Sequence, residues 1–181
     1  VLTRLGRHLD PAMHERGLAL MIDCGGYHTV LNRLIDDVSR DAGGDEQSLL
    51  LAFTAALALR APAEAACPLA ARLLASDASR RDESAPLIAA ASVAIAETQD
   101  ERNATQAKWH RDGVVQLISV AKHHGILEEE VREWAETKGL YHEQGVIERA
   151  AEQCLARIEH PPEWLIKLLE HSTQPGASNG R

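Results

Sequence analysis

Apolar residues recur along this chain every three to four positions, the spacing that gives an α-helix one buried stripe. Between residues 27 and 40 they fall at Val30, Leu31, Leu34, Ile35 and Val38. Asp10-Pro11 opens an earlier helix that would run to Cys24 and stop at Gly25-Gly26. With Gly43-Gly44 closing the second helix, the pair forms a helical hairpin. Asp45 then caps a helix over 46–60 that is apolar on nearly every side and is therefore expected at the centre of the fold.

The middle of the chain is punctuated by proline. Pro62 and Pro68 interrupt it, and Pro68 is expected to open a helix reaching Ala75. A polar loop over 76–84 precedes Pro86, which starts an alanine-rich buried helix through Leu87, Ile88, Val93 and Ile95. The strongly polar run 97–113 is either a solvent-facing helix or a joint. Helices follow at about 114–124, 127–138, 143–158 and 161–171, the last with Trp164, Leu165, Leu168 and Leu169 on its inner face. The ending "STQPGASNGR" is a tail.

Composition supports this pattern. Alanine and leucine, which favour helix, dominate, and aromatic residues, which strands want, are 3% of the chain. The expected class is all-α: an irregular bundle of stacked helical hairpins, with a solenoid-like stack as a variant. No repeat of fixed period marks a helical array. The expected organisation is a bundle over 1–105, a C-terminal subdomain over 106–171 packed on it, and a flexible tail over 172–181.

The stretch "LISVAKHHGILEEEVREW", 117–134, has a second rhythm. Ala121 is small enough for a close helix crossing, Gly125 can make the turn, and Ile126, Val131 and Trp134 can lock a second helix down. Over these twenty or so residues the chain resembles helix-turn-helix domains, which implies a hairpin over 114–138 able to enter a DNA groove. Charge argues the other way. Glu128, Glu129, Glu130, Glu133 and Glu136 face only Arg132 and Lys138 on the second helix, and carboxylates beside phosphates repel. The whole chain is also acidic, at −8 with a pI near 5.6.

Other chemistry is sparse. His110, Asp112, His123 and His124 form the best metal-like cluster, but His123 and His124 are consecutive and diverge by about 100° on a helix. "MIDCGG", 21–26, resembles the phosphate turn of sugar-kinase-like ATPases, yet no further strands exist to build their sheet. Cys24 has His28 one helical turn away as a base, with Gly25-Gly26 breaking that turn. Asp36, Asp37, Asp41, Asp45 and Glu46 lack the alternating spacing of a calcium loop and read as a solvated acidic helix end. Cys24, Cys67 and Cys154 are odd in number and scattered, which suits small buried hydrophobes in a reducing compartment.

The expectation is a cytoplasmic, non-enzymatic protein-interaction module without cofactor, metal or membrane segment, of the adaptor, regulatory or immunity/antitoxin kind. Its surface would be Glu128, Glu129, Arg132, Glu133 and Glu136. The partner would be a protein of unknown identity, with self-association compatible and nucleic acid disfavoured. A DNA-binding regulator using 114–138 is the alternative. A metal-dependent hydrolase built on His110, Asp112 and His123 or His124 is the third reading.

Overall fold

The computed structural model describes residues 45–76, 82–102 and 113–173, together with isolated helical positions at 16, 17, 20, 29, 32 and 33. The expected N-terminal hairpin otherwise lies outside the described residues, as do 103–112 and 174–181. Among the described residues every regular element is helical. These are α1 (Glu46–Ala58), α2 (Ala63–Ala75), α3 (Ser84–Arg102), α4 (Gly113–His123), α5 (Glu128–Glu136), a 3-10 segment (Thr137–His142), α6 (Val146–Ala156) and α7 (Glu163–Thr173).

Two helices have central segments buried on all sides, as the apolarity of those segments requires. On α1 every residue from Ala52 to Leu57 is buried, and on α3 every residue from Ile88 to Ile95. Alanine at half of these positions keeps the helix surfaces narrow, so neighbours can approach closely. Thr54 and Ser92, fully buried in these same helices, donate their hydroxyls to Leu50 O (2.6 Å) and Ile88 O (2.9 Å). Both polar groups are thus satisfied within their own helix.

Around this pair the chain closes into a bundle. Packed against α3 are α2, α4, α5, the 3-10 segment and α6, while α1 packs against α2, α6 and α7. The return of α6 onto both α1 and α3 joins elements far apart in sequence, which a solenoid of nearest-neighbour repeats does not do. One buried cluster runs from Leu49 to Leu168 and draws on all seven helices.

Several boundaries differ from expectation for identifiable reasons. Pro68 lies inside α2 instead of opening it, and Pro62 precedes the first turn. An interior proline costs about 3 kcal/mol or more. Burial of Cys67, Leu69, Ala70, Ala71, Leu73 and Leu74 in the same helix offsets that cost. The helix expected from Pro86 starts at Ser84 and carries the polar run to Arg102, so 97–102 is helix rather than joint. The expected 127–138 helix tightens into the 3-10 segment at Thr137. Gly145, at φ 80°, sets the start of α6 at Val146 instead of 143. Ser172 and Thr173, assigned to the tail, complete α7.

Candidate interaction surface

The helix-turn-helix-like hairpin is α4, a four-residue turn and α5. On α4, Leu117, Ile118 and Ala121 are buried, while Ser119, Lys122 and His123 are exposed. The turn is a Schellman motif. Ile126 N–H donates to Ala121 O (3.2 Å), Gly125 N–H donates to Lys122 O (3.1 Å), and Gly125 takes the left-handed φ of 74°. Ile126, 2% exposed, anchors the turn to the core. Leu127 then leads into α5 in extended conformation with 67% of its surface exposed. It caps nothing with its side chain; the three glutamates of the first turn suit the positive end of the helix dipole.

The inner face of α5 differs from the spacing argument. Val131 and Ala135, one turn apart, are fully buried. Trp134, expected inward beside Val131, is half-buried at the rim of the core. Val131 and Ala135 centre the inner face, and Trp134, about 100° round the helix from Ala135, falls at its edge.

The five residues expected as a surface divide into two groups. Glu128 and Arg132 are tied down: Glu128 accepts from Lys122 Nζ (2.8 Å) and from Arg132 Nη2 (3.0 Å) and Nε (3.2 Å). Hydrogen bonds from Lys122 first, then Arg132, hold the Glu128 carboxyl below its ordinary range. Glu129, Glu133 and Glu136 are exposed and follow at i, i+4 and i+7, which aligns them along the side of α5 opposite Val131 and Ala135. That side is a ladder of carboxylates. None of the three pairs with a described basic side chain.

The metal-like cluster is not assembled by the described residues. His123 and His124 are exposed at the end of α4, and His110 and Asp112 lie outside the described residues. No group of three or more histidine, cysteine, aspartate or glutamate side chains among the described residues could hold a metal ion. The His124 imidazole is held below its ordinary value, by partial desolvation first and then by Arg72 and His123. Cys67 and Cys154 are free and buried, and burial pushes both thiols up to about 12. Neither is a thiolate nucleophile at neutral pH. The "MIDCGG" turn, the Cys24–His28 pair, Asp36, Asp37 and Asp41 lie outside the described residues. Of that carboxylate cluster, Asp45 and Glu46 are engaged in bonds, not merely solvated. Asp45 Oδ1 accepts from Ser48 N–H at 2.6 Å, and Glu46 pairs with Arg157.

Arg157 escaped the sequence reading. Placed just past α6 with its side chain 18% exposed, it pairs with Glu46 at the start of α1 and with Asp82 (3.4 Å). It also donates to Ser84 Oγ at the start of α3 (2.6 Å). Gln47 crosses the same junction, donating to Arg157 O (3.1 Å) and accepting from Glu159 N–H (3.0 Å). One guanidinium thus clasps the ends of three helices. No local signal reveals it, because the carboxylates come from distant parts of the chain.

No helix among the described residues is long and apolar enough to cross a membrane. Comparison with family models, with curated proteins and with solved structures finds no match for the chain.

Proposed function

We propose that the protein is a non-enzymatic, cytoplasmic interaction module, of the adaptor, regulatory or immunity/antitoxin kind, that presents the outer side of α5 to a protein partner. The supporting observation is the division of labour on α5. Val131 and Ala135 hold the helix to the core, while Glu129, Glu133 and Glu136 stand free on the opposite side with Leu127 exposed at its start. A row of like charges attracts a basic surface and repels acidic ones, so it contributes partner choice and association rate. An exposed leucine adds apolar area that a partner can cover.

The test is capture from a lysate of the source organism, comparing wild type with the Glu129→Lys/Glu133→Lys/Glu136→Lys variant. The expected result is a stoichiometric protein partner bound by wild type, weakened by salt and lost in the variant. Equal capture by both proteins removes the α5 surface from the reading.

DNA recognition by 114–138 stands as the second reading because α3, α4 and α5 pack mutually around a close turn, as in a helix-turn-helix. The sign of the exposed side opposes it. Duplex binding at low ionic strength, with affinity falling steeply as salt rises, is the behaviour that would favour it.

A further inference from the structure

We draw no further inference here: the strongest candidate, the acidic outer side of α5 with the exposed Leu127 at its start, belongs to the surface already described, and nothing in the structure shows what covers it.

Discussion

Arg60 and Gly125 occupy the same position in two copies of one motif. Each follows a helix in the left-handed region, at φ 50° and 74° respectively. Each is flanked by the same pair of hydrogen bonds: Ala61 N–H to Ala56 O and Arg60 N–H to Leu57 O after α1, with the matching pair after α4. Glycine adopts this conformation freely, whereas an L side chain costs about 1 kcal/mol there. At Arg60 the side chain has a compensating role, since it pairs with Glu148 on α6.

This comparison predicts unequal outcomes for two glycine exchanges. Gly125→Ala should destabilise by about 1 kcal/mol through backbone strain, because open space surrounds the added Cβ. Arg60→Gly should be close to neutral: it relieves similar strain and loses an exposed ion pair worth roughly 0.2–1 kcal/mol. Urea midpoints measure both. A neutral Gly125→Ala would mean that the turn relaxes out of the Schellman geometry.

The Arg157 clasp predicts a larger loss. Arg157→Ala removes two ion pairs and a hydrogen bond in a partly buried setting, and should cost about 1–3 kcal/mol. Arg157→Lys should recover little of it, because an ammonium cannot span Glu46, Asp82 and Ser84 as a planar fork does. Thermal melts of the two variants decide this. A loss under about 0.5 kcal/mol for Arg157→Ala, the range of an ordinary surface change, would show the pairs to be solvated.

Much of the architecture was legible before the fold because caps and periodicity are local. Asp45, the Gly125 turn and the uniformly apolar stretches now seen as α1 and α3 each announced their role. What escaped was decided by packing over distance. Pro68 sits in a helix interior whose neighbours are buried, and Val131 and Ala135, packed toward α3, leave Trp134 at the rim. Arg157 finds Glu46 across the fold. The candidate surface was legible as a set of residues, and the Glu128–Arg132 pair at i, i+4 is local, but the second tie on Glu128 comes from Lys122, which belongs to the preceding helix.

Acid should destabilise the protein in two stages. His124 has a lowered folded-state value, so the folded state resists its protonation. Its contribution is present above the ordinary value of 6.5 and is lost as pH falls through the folded value. Glu128 and Asp45 are also depressed, from ordinary values of 4.5 and 3.8. Their contributions are present above those values and are lost as pH falls further. Melting temperature should therefore fall on acidification below about pH 6.5 and again below about pH 4.5. His124→Gln should flatten the first stage only. An unchanged first stage in that variant would move its origin to other groups.

Buried thiols should be silent. With Cys24→Ser removing the cysteine outside the described residues, a chromogenic disulfide reagent at neutral pH should find no rapidly reacting thiol in the folded protein. It should find two after denaturation, since both remaining thiols sit near 12 when folded. Rapid native labelling of Cys67 or Cys154 would show that the core opens readily at α2 or α6.

The claim that α5 faces a protein rather than a nucleic acid is tested most directly by photo-crosslinking from Glu133. A photoreactive residue placed there, on the exposed carboxylate ladder, should yield a discrete protein adduct in a lysate of the source organism. That adduct should fade as salt rises, and the same probe at exposed Glu152 on α6 should not produce it. An adduct carrying nucleic acid, or identical adducts from both positions, would contradict the account.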